Sequence, residues 1–261
     1  MLTLMRGRPQ YSVLGTLADQ YFRPLPTHQN ARSVFGGTLV AQAASAASAT
    51  ISDLFCLYSS QSSFLAPTNP TERVVYRVGR TADGRGYSTR IVHAIQGEIC
   101  TYIATLSFQN TAKYAGNVLL YGLPMPDLGD LTPDQVDPQA MQAMQTSMLD
   151  PSVRMMRRTA EGTPFDLRPF AIEMGEDPTE CRIRGFIRTP PLSISSHLAH
   201  LPALAYLSDE SLFGTALAAN PAAVGRGFRN VNLGASLTHN VSFHDPQART
   251  DRWMVIERET S

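Results

Sequence analysis

The sequence predicts an α+β fold in which a helix-then-strands order occurs twice. Three observations predict it. A small-residue, alanine-rich stretch runs from Gly37 to Ile51; the hydrophobic period then changes from helical to two; and a looser strand, helix, strand, strand order returns after residue 164.

Every residue between Gly37 and Ile51 is small, apolar or a polar type that helices tolerate. Alanine has the best intrinsic helix propensity, and a helix apolar nearly all round is one that other elements cover, so a sheet could wrap it closely. Phe55 to Leu65, apolar and serine-rich, stops at Pro67 and supplies a first strand. Val74, Tyr76 and Val78 alternate with Arg73, Arg77 and Gly79 between Pro70 and Asp83-Gly84, the pattern of a half-buried strand. Tyr87 to Ile95 and Ile99 to Phe108 continue an antiparallel meander, with Gln96-Gly97 as the turn. From Tyr114 to Pro164 the texture becomes Pro, Asp, Gln and Met, which reads as a connector. Met141, Met144 and Met148 are spaced for one helical face and read as packing residues rather than a channel lining.

The second half offers strands at Arg182 to Arg188, Ala235 to Phe243 and Arg252 to Glu257, with a helix near Pro202 to Leu217. Four strands follow the first helix and two follow the second. Two paired strands of the second repeat are therefore expected to be missing, giving repeats over 10–112 and 164–261 around a linker at 113–163.

Composition narrows the function classes. In 261 residues, 43% are hydrophobic and 17% charged, outside the range of a disordered chain. The 22 basic and 22 acidic residues cancel, so no global field draws the protein to nucleic acid or an anionic membrane, and an anionic ligand must be held locally. No stretch spans a membrane: Leu39 to Ile51, the most apolar, is interrupted by Gln42, Ser45 and Ser48. Cys56, Cys100 and Cys181 are odd in number and far apart, which argues against a disulfide framework and a zinc site and for a reducing compartment. The cytoplasm is the expected location, the closing Glu259-Thr260-Ser261 not being the peroxisomal S-K-L signal.

No nucleophile elbow, zinc helix or Walker loop occurs, and Gly225-Arg226-Gly227 lacks the later glycine of a dinucleotide fingerprint, so no cofactor is expected. His197 and His200 are three apart, without a third ligand nearby in sequence, and no metal site is expected.

Several blocks resemble, in order and spacing, those of type II acyl-CoA thioesterases. Arg32-Ser33-Val34-Phe35-Gly36-Gly37 with Val40, Gln42 and Ala43 is similar to the opening R-x-V-F-G-G-x-x-V-x-Q-A. Phe64-Leu65-Ala66-Pro67 resembles F-L-x-P, and the run from Asp83 to Arg90 resembles D-G-x-x-[FY]-S-x-R. Ala94-Ile95-Gln96-Gly97 and Ser107-Phe108-Gln109 resemble A-I-Q-x and S-F-Q. Later, Leu167-Arg168-Pro169, Tyr206-Leu207-Ser208-Asp209, and Ala235-Ser236-Leu237-Thr238-His239 with Phe243-His244 resemble V-R-P, Y-x-S-D and A-[ST]-L-x-H…F-H. The likeness runs from about residue 20 to 256. It implies a double hotdog: two curved antiparallel sheets, each wrapped around a central helix, the second repeat being incomplete.

The resemblance also implies chemistry. The family hydrolyses acyl-CoA to free acid and CoA with an Asp that matches Asp209, a hydroxyl that matches Ser236, and a Gln in an S-x-x-Q-E-G block that the sequence ends before. Gln109 is a formal counterpart in the first repeat, but repeat position does not put it beside Asp209. On a helical wheel Asp209 lies about 20° from Leu198, at the rim of the stripe formed with Leu201, Ala205 and Leu212. Strand alternation alone would put Ser236 on a solvent-facing side with Thr238, Asn240 and Ser242. Phe35, Gly36 and Gly37 are the expected substrate-binding residues, because free N–H groups at a helix start suit a carbonyl oxygen or phosphate; the two glycines equally suit close packing. Tyr58-Ser59-Ser60-Gln61 stands where relatives often have H-S-x-H. The leading expectation is an acyl-CoA thioesterase acting on a specialised acyl chain; the alternative is a catalytically impaired relative that binds acyl-CoA or a protein partner. Unpaired strand edges leave room for a homo-oligomer by strand addition.

Overall fold

The computed structural model describes residues 33–113, 125–136, 165–177, 180–192, 195–210, 215–216, 219–220 and 235–260. Helix α1 (Gly36–Ser48) is followed by β1 (Phe55–Phe64), β2 (Val75–Asp83), β3 (Tyr87–Gln96) and β4 (Ile99–Asn110). A 3-10 turn at Pro133–Gln135 precedes β5 (Asp166–Glu173), β6 (Arg182–Arg188), α2 (His197–Ser208), β7 (Thr238–Ser242) and β8 (Met254–Glu259). Met141, Met144, Met148 and Gly225-Arg226-Gly227 lie outside the described residues.

Two antiparallel sheets result, ordered β2-β3-β4-β1-β7 and β5-β6-β8. The chain forms two compact units: α1, β1 to β4, α2 and β7 in one, β5, β6 and β8 in the other. The segments drawn from the sequence, 10–112, 113–163 and 164–261, follow chain order, whereas these units follow packing. α2 and β7 of the third segment thus join the first unit.

In the first unit the residues of β3 and β4 that point inward, Val92, Ala94, Tyr102, Ala104, Leu106 and Phe108, form one core with the alanines of α1. Those alanines let the helix sit close to the sheet, and their methyl groups add apolar area at almost no loss of side-chain entropy. The meander turns as the sequence suggests. Gly97 has φ of 60°, a left-handed conformation that glycine adopts freely. At the β2 to β3 turn, a Cβ on Gly84 would lie 2.7 Å from the Tyr87 carbonyl oxygen, too close for any other residue.

The block from Asp83 to Arg90 has a structural use. Arg90 is 2% exposed. Its guanidinium donates to Thr50 Oγ1 at 2.7 Å, to the Ala82 and Thr89 carbonyls at 3.1 and 2.9 Å, and to Asp83 Oδ1 at 2.5 Å. A planar fork of donors can satisfy four acceptors around one turn, which ties the end of α1 to the β2 to β3 hairpin.

α2 starts and stops earlier than its expected span of 202–217. Pro202 lies inside the helix, and Ser196 takes the N-cap position. Proline's preference for a helix start is a local tendency; here both sides of the helix are buried, and packing on α1 and β1 outweighs the lost hydrogen bond. No helix among the described residues is long and apolar enough to cross a membrane.

In the second unit, Leu128, Leu131 and Val136 from the connector pack with Phe170, Phe186 and Val255 of the sheet and with Trp253, which directly precedes β8. Arg168 and Arg188 lie over the Trp253 ring, 4.6 and 4.2 Å from its centroid.

Candidate active site

Asp209 is the C-cap of α2, not a residue of the helix's later turns, and its residue is 5% exposed. The end of α2 meets the start of α1 there. A Cβ on Gly36 would sit 2.6 Å from Asp209 Oδ2, and one on Gly37 would sit 2.5 Å from the Phe35 ring and 2.7 Å from the Tyr206 carbonyl oxygen. A side chain at Gly37 would meet the backbone of α2 and one at Gly36 would displace the Asp209 carboxylate or the Phe64 ring, so the packing role open in the sequence has a geometric cause. The Phe35 ring meets Tyr206 edge-on with centroids 5.2 Å apart, closing one side of the junction.

Ser236 Oγ donates to Asp209 Oδ1 at 3.0 Å. The strand expected from Ala235 begins at Thr238, and Leu237, expected on an inward face, is 74% exposed. Ser236 consequently lies ahead of the ladder, where alternation no longer fixes its direction, and turns to the carboxylate instead of to solvent. The Phe64 N–H holds this segment by donating to the Leu237 carbonyl at 3.0 Å.

Burial pushes the Asp209 carboxyl up to about 6; the Ser236 hydroxyl and the Gly37 backbone N–H pull it down, by favouring the charged form, but less strongly. Asp209 Oδ2 has no hydrogen bond of ordinary geometry among the described residues. Asp209 is thus ionised at neutral pH, with one oxygen engaged and the other able to accept a proton.

Around this pair lie further polar side chains for which neither period nor spacing in the sequence predicts a role. His239 Nε2 is 3.1 Å from Ser208 Oγ, and Ser208 Oγ donates to the Ala205 carbonyl at 2.9 Å. Tyr102, fully buried, meets Phe64 at a tilt of 56° with ring centroids 5.1 Å apart, and both burial and the nearby Asp209 charge raise its phenol's pKa. The one trace of His239 in the sequence is its place in the Ala235 to His239 block; strand alternation, which puts residues three apart on opposite faces, argues against its lying near the Ser236 side chain. Gln109 donates to the Tyr87 hydroxyl at 3.3 Å at an exposed position. His200 is a buried histidine whose Nδ1 accepts from the Thr250 backbone N–H at 3.3 Å. Among the described residues no three His, Cys, Asp or Glu side chains converge as metal ligands would.

The family description "Acyl-CoA thioesterase N-terminal domain" matches residues 24–109, and "Acyl-CoA thioesterase C-terminal domain" matches residues 133–261. Acyl-coenzyme A thioesterase 8 of Rattus norvegicus is 29% identical over 251 residues, covering 90% of this chain and 72% of that protein. Acyl-CoA thioesterase 2 of Haemophilus influenzae is 28% identical over 242 residues, covering 89% and 79%. By structure, the tesB protein of Mycobacterium avium subspecies paratuberculosis is similar at a TM-score of 0.67 and 23% identity, covering 95% of this chain and 86% of that one. The acyl-CoA thioesterase II TesB2 of Mycobacterium marinum is similar at 0.63 and 23%, covering 86% and 76%. These two likenesses bear on the fold, a double hotdog of two antiparallel sheets with helices. With an N-terminal and a C-terminal domain description matched in that order along one chain, the protein belongs to the acyl-CoA thioesterase family.

Proposed function

We propose that Asp209 and Ser236 carry the hydrolysis of an acyl-CoA thioester to free acid and CoA, the reaction that membership of this family gives the chain. The observation that supports the assignment is a buried carboxylate raised to about 6, bonded through one oxygen to a hydroxyl, its other oxygen accepting no hydrogen bond of ordinary geometry among the described residues. Asp209 Oδ2 accepts a proton from water as the water oxygen attacks the thioester carbonyl carbon. The tetrahedral intermediate then collapses with cleavage of the C–S bond, and the CoA sulfur leaves as a thiolate that takes up the proton. Ser236 keeps the carboxylate oriented. The backbone N–H groups at the start of α1, by Gly36 and Gly37, are the proposed donors to the carbonyl oxygen, and Phe35 bounds the acyl group.

Free-thiol release from a panel of acyl-CoAs tests the reading. Asp209→Asn should lower kcat about 1000-fold, as loss of a general base does. The wild-type kcat/KM should rise from acid to neutral pH through an apparent pKa near 6. Wild-type turnover no greater than that of Asp209→Asn would reject hydrolysis and leave the binding-protein reading.

The homo-oligomer belongs to the same proposal. Among the described residues β2 and β7 edge one sheet and β5 and β8 the other. Light scattering on a size-exclusion peak that gives a folded monomer would reject strand addition.

A further inference from the structure

We propose that His239 is a positioning residue for this hydrolysis: its Nε2–H holds Ser208 Oγ, and that tie sets the approach of Asp209 to Ser236. The inference rests on the roles given above to those two residues.

The hydrogen-bond inventory supports one direction for the tie. Ser208 has one hydroxyl proton, and it goes to the Ala205 carbonyl, which can only accept. Toward His239 Nε2 at 3.1 Å the serine oxygen must then accept, so the ring carries its proton on Nε2. Nδ1 is buried and has no hydrogen bond among the described residues, and burial lowers the ring's affinity for a second proton. His239 is accordingly a neutral imidazole with one working donor.

That donor spans the two segments that carry the site. Asp209 directly follows Ser208, and Ser236 lies three residues before His239. The Ser236 to Asp209 hydrogen bond and the His239 to Ser208 hydrogen bond therefore join the same helix end to the same strand end. β7 is held from its other side as well: Ser62 Oγ donates to the His239 carbonyl at 2.8 Å, and Ser62 and His239 are register partners in the sheet. Ser236 stands outside that ladder, one residue beyond the Leu237 carbonyl that Phe64 N–H holds, so the backbone hydrogen bonds alone do not fix its side-chain distance to Asp209. The imidazole carries the rigidity of the β1 to β7 pair across to the end of α2. Loss of one such bond loosens the contact without removing either reacting group.

Three variants test this, each checked for folding by thermal unfolding. His239→Ala and Ser208→Ala should each lower kcat about tenfold while KM changes less than about twofold, the size expected for one lost hydrogen bond that acts on orientation. In both, the acid limb of the pH profile should move up, because a loosened Ser236 stabilises the Asp209 carboxylate less. His239→Gln, whose amide N–H can reach Ser208, should retain most activity. Wild-type kcat and an unmoved acid limb in either alanine variant would overturn the proposal. So would His239→Gln being as impaired as His239→Ala while Ser208→Ala is unaffected, which would mean the ring acts on the substrate. If the wild type shows no turnover, the hydrolysis reading has failed, and nitrogen-15 NMR still decides the tie. A neutral Nε2–H ring at pH 7, with faster Nε2–H exchange in Ser208→Ala, upholds it; an Nδ1–H or doubly protonated ring overturns it.

Discussion

In the first unit, β3 and β4 turn Val92, Ala94, Tyr102, Ala104, Leu106 and Phe108 toward α1, and each is at most 1% exposed. On β6 of the second unit Arg182 and Arg184 project from one face, with Arg184 bonded to Glu173 at 2.7 Å and to Glu257, and Arg182 to Glu259 at 2.8 Å. The Glu173, Glu257 and Glu259 side chains are 53%, 33% and 57% exposed. One sheet is thus held to its helix by removal of apolar area from water, and the other carries cross-strand ion pairs in solvent. The first kind of contact is large and insensitive to salt, and the second is small and screened. The difference bears on the site, because Asp209 is buried in the apolar unit, where a lone carboxylate costs most and where its proton affinity is consequently raised.

The largest break in that comparison should come from Leu106→Ala, which removes a fully buried side chain from the α1 core. Destabilisation of about 3 to 4 kcal/mol is expected in urea unfolding, with no dependence on salt. A loss below about 1 kcal/mol would mean the core is not close-packed there.

Asp209→Asn gives an intermediate and opposite effect. A carboxyl at about 6 when folded and 3.8 in its reference state keeps its proton in the folded chain to higher pH. Wild-type stability should therefore fall as pH rises from about 4 to about 6 and stay flat above, by up to about 3 kcal/mol. Asp209→Asn should remove that slope, so that it unfolds at higher denaturant than wild type at pH 8 but not at pH 4. Equal stability of the two proteins at pH 8 would show that Asp209 is not strained by burial.

The smallest effect belongs to the second unit. Glu257→Gln should cost less than about 1 kcal/mol in 50 mM salt and less still in 1 M salt. Trp253, the sole tryptophan, directly precedes β8 and has Arg168 and Arg188 over its ring, so its fluorescence reports that unit. A loss that persists undiminished in high salt would mean that Glu257 acts through packing.

Much of the first unit was legible because its elements are local. The alanine run, the change of period after it, and the Gly84 and Gly97 turns each act over a few residues, and β1, β3 and β4 lie within two residues of their expected spans, while α1 stops three residues before Ile51 and β2 runs four residues past Gly79. The second half was legible in kind but not in partner. β7 occurs within its expected stretch yet pairs with β1, and α2 lies several residues earlier, its packing tolerating Pro202 inside the helix. Of the candidate site, the types and order of Asp209 and Ser236 were available from short blocks. The role of Gly36 and Gly37 in admitting the end of α2 was not, since close approach of two backbones leaves no periodic trace.

By itself the sequence determined where chain segments are helical or extended and which of their sides are apolar, because period and propensity are properties of neighbouring residues. Only the tertiary structure decided what covers each side. It brought the cap of α2 to the start of α1, released Ser236 from the strand's alternation, and set His239 against Ser208. The physical reason is that burial and hydrogen bonding depend on distances through space between residues far apart in the chain. The raised proton affinity of Asp209 exists only once those distances are fixed.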